Sequence, residues 1–357
     1  MKILFFIPAM IGGGAERVTA VLCNEFVKQG HDVIVATNPT KGSYPMDNRV
    51  RFLSVYNEKK RLLGGLRQLF VLLRARHIVK TERPNIVVGV MPPFYLLARF
   101  ATWGTGIPLV ASDHTSFLPN KLMRFNFVRH HLYGFADALA ILTEKDYQLL
   151  GKKYPRKVVM YNPLTFDVLS HVGERKKVIT AMGRLDVWRI KGFDMLIDAW
   201  VMIASKYPDW VLQIAGTGSD ESMNTLKQMV ENKGVTHSVS FLGFVNNVQG
   251  LLQESSIFVL SSRIEGFPMS LLEAMSQGCA CVAFSIQGVV NEIITSEYDG
   301  VIVPDGDINA LSNAMDSLLS NEDFRIRVAG NALQSIKRFE AKNIARQWEK
   351  LFDKVCK

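Results

Sequence analysis

Short, wholly apolar runs alternate along the chain with longer segments of helical period. KILFFI (2–7), DVIVAT (32–37), RFLSV (51–55), NIVVGVM (85–91), PLVAS (108–112), ALAIL (138–142) and KVVMY (157–161) are of strand length, and most are rich in β-branched residues. Runs without polar alternation are what parallel strands covered on both faces require. AERVTAVLCNEFVKQ (15–29) is a helical pattern closed by Gly30. NPLTFDVLSHVGERKK (162–177) breaks the rhythm with Pro163, Gly173 and a charge cluster, and reads as a linker. The alternation restarts with VITAM (178–182), VLQIAG (211–216), VSFLG (239–243), IFVLSS (257–262), CACVAF (279–284) and GVIVP (300–304). A helical stretch over residues 322–355 closes the chain. The pattern predicts an α/β protein of two doubly wound domains, residues 1–162 and 178–338, with a linker at 163–177. A C-terminal helix, 339–357, is available to pack back on the first domain. Open α/β sheets bind ligands at the carboxyl ends of their strands, so the two halves are expected to face each other across a ligand cleft.

The 357 residues suit about two domains, and 48% hydrophobic with 21% charged content suits sizeable cores. Charge is uneven. Residues 1–172 carry 23 Lys and Arg against 11 Asp and Glu, and the remainder 19 against 22. A basic first half points to an anionic surface, nucleic acid or acidic lipid. Cys23, Cys279, Cys281 and Cys356 form no CxxC pair, and Cys279 and Cys281 read as buried thiols of a reducing compartment. MKILFFIPAM is basic then apolar, but Pro8 interrupts it and no small-residue cleavage pattern follows, so it reads as a first strand. No apolar stretch is long enough to span a bilayer.

Three segments carry candidate chemistry. Gly12, Gly13 and Gly14 lie between the first strand and its helix, where glycine permits close approach and a helix start favours an anion. The second strand ends without the acid a dinucleotide ribose needs, and the glycines depart from GxGxxG. That leaves a phosphate-bearing ligand or a plain tight turn. In the second half, Arg184, Arg189 and Lys191 gather at a strand-to-helix junction, as a diphosphate site or a solvated loop would. In EGFPMSLLEAM (265–275), Glu265 precedes and Glu273 follows a helix start, with the first-turn amides of Phe267, Met269 and Ser270 between them. Carboxylates accept hydrogen bonds from neighbouring hydroxyls. The order acceptor, positive helix end, acceptor fits a sugar–diphosphate–ribose; the alternative is a turn residue and an ion-paired helix residue.

The Glu265-x7-Glu273 segment closely resembles the signature of the group-1 retaining glycosyltransferases, glycosyltransferase family 4 with the GT-B fold. GGGAERV (12–18), GRL…KGFD (183–194), GFVNNV (243–248), GVVNEII (288–294) and DGVIVPDGD (299–307) agree with it in order, across nearly the whole chain. The Arg184-to-Lys191 spacing is longer than the usual pattern, which makes Arg189 a further candidate for the phosphate site. The resemblance implies two Rossmann-like domains, the first for acceptor and the second for nucleotide-sugar, and transfer of a hexosyl unit with retention. It implies that Arg184 and Lys191 stabilise the leaving diphosphate, helped by the helix at Ser270. It implies that Glu265 orients the donor sugar, that Glu273 holds the ribose, and that Phe244 and Val245 form part of the base pocket. Gly13 and Gly14 would approach the diphosphate from the first domain. His114, in VASDHTSF, falls in a segment where the family often has a histidine near the donor sugar; a loop histidine bonding Asp113 or Thr115 is the alternative.

No His, Asp and Glu group has metal spacing, and Asp307 of the Asp305-Gly306-Asp307 run reads as a helix N-cap, so metal-independent transfer without a cofactor is expected. Over EKKRLLGGLRQLFVLLRARHIVK (58–80), Lys60, Arg67 and Arg74 share one helical face. Leu62, Leu66, Leu69 and Leu73 form another, which is either simply core or part of an interfacial surface. With Arg99, Lys121, Arg124 and Arg129, the cations suggest a surface that meets anionic lipid, whereas His130 and His131 read as solvated. The expected acceptor is a lipid-linked glycan of bacterial surface polysaccharide (O-antigen, capsule or an exopolysaccharide such as amylovoran), handled by a cytoplasmic enzyme peripheral to the inner membrane face. The expected donor is UDP-linked. No recognition helix or aromatic platform for nucleic acid stands out; a GT-B epimerase or phosphorylase is the other enzymatic reading.

Overall fold

The computed structural model describes residues 1–38, 44–56, 64–117 and 126–357. Lys60, Leu62, Lys121 and Arg124, named above, lie outside the described residues. The chain divides into two compact units, residues 1–165 with 341–357, and residues 166–340.

The first unit holds strands β1 (Lys2–Phe6), β2 (Asp32–Thr37), β3 (Arg51–Ser54), β4 (Ile86–Val90), β5 (Leu109–Ser112), β6 (Ala138–Ile141) and β7 (Lys157–Val159). They form one parallel sheet in the order β3-β2-β1-β4-β5-β6-β7. The second unit holds β8 (Lys176–Met182), β9 (Val211–Ala215), β10 (Val239–Gly243), β11 (Ser255–Leu260), β12 (Ala280–Phe284) and β13 (Val301–Val303), all parallel, in the order β10-β9-β8-β11-β12-β13. Each of the thirteen apolar runs became a strand; the central ones, such as β1, β4, β11 and β12, are almost wholly buried, while the edge strands β3, β7 and β10 are only partly covered. In both sheets the order reverses beside the first strand, between β1 and β4 and between β8 and β11. Connections there leave in opposite directions and open a crevice at the carboxyl edge. The loops after β1, β8 and β11 carry the glycines, the cations and Glu265.

The closing helical stretch is not continuous. The Glu322–Ser335 helix passes through a 3-10 turn, Ile336–Phe339, to Glu340 in an extended conformation, and a new helix runs Ala341–Val355. The break is fixed by tertiary bonds. The Arg338 guanidinium donates to the Ile293 carbonyl at 2.7 Å, and Phe339 meets Phe267 edge-on with ring centroids 5.7 Å apart. The final helix buries Trp348 and Phe352 against the Gly14–Lys28 helix, with Phe352 5.7 Å from Phe26. Full burial of each such ring contributes about 1.5–3 kcal/mol. His31 Nε2 meets Glu349 Oε1 at 2.6 Å beside them.

One surface expectation is corrected and one open alternative is resolved. Arg129 is not a surface cation: it is buried, with its Nε 2.8 Å from Asp113 Oδ2. Leu66, Leu69 and Leu73 on the Gly64–Glu82 helix are not core: they are 65, 51 and 55% exposed. Ala75, Ile78 and Val79 supply the core face of that helix instead. Among the described residues no helix is long and apolar enough to cross a membrane.

Candidate active site

The second unit gathers its candidate residues at the β8/β11 reversal. After β8 the chain makes a 3-10 turn (Leu185–Val187), one turn of helix (Trp188–Lys191), a left-handed Gly192 with φ 67°, and the Phe193–Val201 helix. A Cβ on Gly192 would lie 1.8 Å from the Ser261 carbonyl oxygen, so only glycine lets this loop touch the loop after β11. Backbone and side chains then bind the two loops together. The Ser261 hydroxyl donates to the Lys191 carbonyl at 3.0 Å, and the Arg263 amide to the Ile190 carbonyl at 2.8 Å. Arg263 grips both oxygens of Asp194 at 2.8 Å each and also bonds the Arg189 carbonyl.

That framework brings Lys191 and Glu265 into contact. Lys191 Nζ lies 2.7 Å from Glu265 Oε1, which also accepts from the Ser262 hydroxyl at 2.7 Å. Both side chains are largely covered. Arg184 and Arg189 are exposed; Arg189 lies over the Trp188 ring at 4.9 Å, and Arg184 makes no ion pair among the described residues. The helix behind Glu265 runs Met269–Ser276, starting one residue before the expected Ser270, with Pro268 as N-cap. Its ladder begins with Leu271 and Leu272 donating to the Pro268 carbonyl, so the amides of Met269 and Ser270 precede it. Phe267 is buried. Glu273 is 3% exposed, and a carboxylate at that depth is held by fixed partners rather than by water.

The loops after β9 and β10 abut the same edge. The Gly183 amide donates to the Ala215 carbonyl and the Gly216 amide to the Gly243 carbonyl. A Cβ on Gly216, at φ 147°, would fall 1.8 Å from the Gly183 carbonyl oxygen. Phe244, next along, is 72% exposed and Val245 half-buried, which presents an aromatic face at the same edge of this sheet. Asp307 is an N-cap: its carboxylate accepts from the Ala310 amide at 2.9 Å.

In the first unit, Gly12 is left-handed at φ 67°, Gly13 caps the Gly14–Lys28 helix, and Gly14 is its first residue. The Glu16 carboxylate lies where a Cβ on Gly13 would be, so an acid already faces this helix start. His114 follows β5. Its Nε2 lies 3.1 Å from the Ser112 hydroxyl and its Nδ1 is sealed from solvent without a hydrogen-bond partner. Burial lowers this imidazole from its ordinary value to about 4, against smaller opposing effects of Asp113 and Asn162. His114 is thus neutral at neutral pH. Asp113 does not bond it. Asp113 accepts from Thr115, Arg129 and Tyr133, while Arg129 also donates to the carbonyls of Thr115 and Ser116. This buried clamp on the histidine loop, and the Arg263–Asp194 fork, join residues distant in sequence, and no spacing rule announces them.

Cations, a carboxylate and a helix start thus meet at the sheet reversal of one unit of a twin α/β fold. Comparison with known proteins gives the family. The profile described as Glycosyltransferase Family 4 matches residues 12–166, and that described as Glycosyl transferases group 1 matches residues 176–321. The chain belongs to these glycosyltransferases. It is 27% identical, over 99% of both chains, to the GalNAc-alpha-(1->4)-GalNAc-alpha-(1->3)-diNAcBac-PP-undecaprenol alpha-1,4-N-acetyl-D-galactosaminyltransferase of Campylobacter jejuni. It is 24% identical, again over 99% of both, to the amylovoran biosynthesis glycosyltransferase AmsD of Erwinia amylovora. Among solved structures, HepE of Anabaena in complex with UDP superposes with TM-score 0.82 at 20% identity, covering 99% of this chain and 100% of that one.

Proposed function

We propose that this glycosyltransferase moves a hexosyl unit from a UDP-sugar to a lipid-linked glycan of bacterial surface polysaccharide, with retention and without a metal ion, at the inner face of the membrane. The Lys191–Glu265 contact carries the reading. It joins the cation that would take the phosphate to the acid that would take the sugar, 2.7 Å apart, on the loops beside the Met269–Ser276 helix. The donor diphosphate would take Lys191, Arg184 and the Met269 and Ser270 amides. Charge that develops on the departing oxygen is then met by fixed donors, often the largest catalytic term. Glu265 would accept from sugar hydroxyls, and Glu273 from the ribose after local rearrangement exposes its oxygens. His114, neutral, would position the sugar by hydrogen bonding. Retention follows if the acceptor hydroxyl enters on the face the diphosphate leaves and passes its proton to that leaving oxygen. The Campylobacter relative's undecaprenol acceptor and HepE's UDP support these choices of substrate.

A thermal-shift panel of nucleotide-sugars tests the donor. A UDP-sugar at 100 times its Kd stabilises by about 2.7 kcal/mol. Lys191→Ala and Glu273→Ala should shrink that shift, and Lys191→Ala should cut turnover about 100-fold or more. A parent-like response from both variants would remove the assignment.

A further inference from the structure

The sheet of the first unit ends at β7, which pairs with β6 on one side and, among the described residues, with no strand on the other. The pairing fixes which backbone groups are left. The Leu139 amide donates to the Arg156 carbonyl at 3.1 Å, and the Met160 amide to the Ile141 carbonyl at 2.7 Å. Residues 156, 158 and 160 therefore turn their backbone toward β6, and residues 157 and 159 turn theirs toward the open edge. The Lys157 amide donates to the Tyr154 carbonyl, which leaves the Lys157 carbonyl and both Val159 groups on that edge. Side chains alternate as well. Lys157 points to the side of the Glu144–Leu149 helix, with its Nζ on the Gly151 carbonyl and 4.1 Å from the centroid of the Tyr147 ring. Val158 and Met160 point the other way, where a groove of about 630 Å³ runs between β7 and the Ala341–Val355 helix. Its floor is apolar, from Val158, Met160, Leu351 and Val355. Its rims are basic: Arg156 stands on the strand side, 3.6 Å from Asp137, and the exposed Lys350 and Lys354, one helical turn apart, stand on the helix side. A lysine on a short edge strand ordinarily deters pairing. Here Lys157 points away from the groove and the other cations surround a hollow. They repel a second copy of this edge, which would set cation against cation, and they favour a segment of opposite charge. An extended chain supplies carbonyls and amides at strand spacing, and strand addition to a sheet edge is a recurrent mode of peptide recognition.

We infer that β7 and the Ala341–Val355 helix form a docking groove for a partner protein, which adds an extended acidic segment to the β7 edge. The segment sets its carboxylates against Lys350 and Lys354, and its apolar side chains fill the floor. The groove goes beyond the transferase reading and does not depend on it. The full chain is titrated with a fluorescein-labelled, end-blocked peptide of alternating Glu and Val, about ten residues long. A Lys-Val peptide of the same length and a backbone N-methylated Glu-Val peptide serve as controls. The parent should bind the Glu-Val peptide, and binding should slow hydrogen exchange at the Val159 amide. The Lys-Val peptide reverses the charge and the N-methylated one lacks every amide donor, so each should bind at least about ten-fold more weakly. Lys350→Glu with Lys354→Glu should weaken Glu-Val binding by a similar factor and keep the parent Tm and UDP-sugar thermal shift, which establishes an intact fold. Val159→Pro removes only an amide on the open edge and should also weaken binding. The inference is overturned if the parent ignores the Glu-Val peptide, if either control peptide binds as well, or if either variant binds as the parent does. Peptide binding without any UDP-sugar response would sink the donor reading and leave the groove standing.

Discussion

At the scale of single residues, His114 makes a claim about protons. Its folded pKa, about 4, lies below the ordinary histidine value, so between the two the unfolded chain binds the proton and the folded chain does not. Stability from this residue is complete above the ordinary value and is lost as pH falls toward 4. Urea unfolding of the parent and of His114→Asn, compared from pH 7 down to pH 4, should show a steeper loss in the parent. Identical slopes would mean that the imidazole is not held neutral by burial. Glu265, Lys191 and Arg184 were singled out in the sequence because their motif spacing is local. That Lys191 already pairs with Glu265 was not legible, since 74 residues separate them. Arg129 was misread for the same reason: its sequence neighbourhood is basic, and only the fold supplies Asp113 and the Phe117 ring, 3.8 Å away.

At the scale of elements, the strands were the most legible feature, because a run buried on both faces leaves an unbroken apolar signature. Helix identity was legible as well, but helix facing was less so. Leu66, Leu69 and Leu73 have the spacing of a core stripe, and periodicity cannot say which of two apolar sides meets the sheet. The break at Glu340 lies two residues past the 338/339 boundary drawn from the sequence, but its cause was not legible, because Phe339 and Arg338 act through distant partners. The loop pair after β8 and β11 depends on Gly192. Gly192→Ala would need a left-handed alanine, costing about 1 kcal/mol, and would drive its methyl into the Ser261 carbonyl. The expected result is a lowered Tm with turnover lost more than stability alone explains, since Lys191 and Glu265 are carried on the displaced loops. A variant with parent turnover would show that the two loops do not need this contact.

At the scale of the whole molecule, two parallel sheets repeat one plan, each reversing beside its first strand, and the candidate residues of the second unit sit at its reversal. The charge excess lies in the first 172 residues, while the remainder carries slightly more acid than base. That division suits one unit that meets an anionic surface and another that holds a small anionic donor through a few fixed cations. The most direct measurement is the reaction itself: purified protein, an α-linked UDP-hexose and an undecaprenyl-diphosphate glycan, with excess EDTA, followed by NMR of the new anomeric centre. The account predicts UDP release matched by an α-linked product at a rate that EDTA leaves unchanged. A β-linked product, or activity abolished by EDTA and restored by manganese, would contradict it.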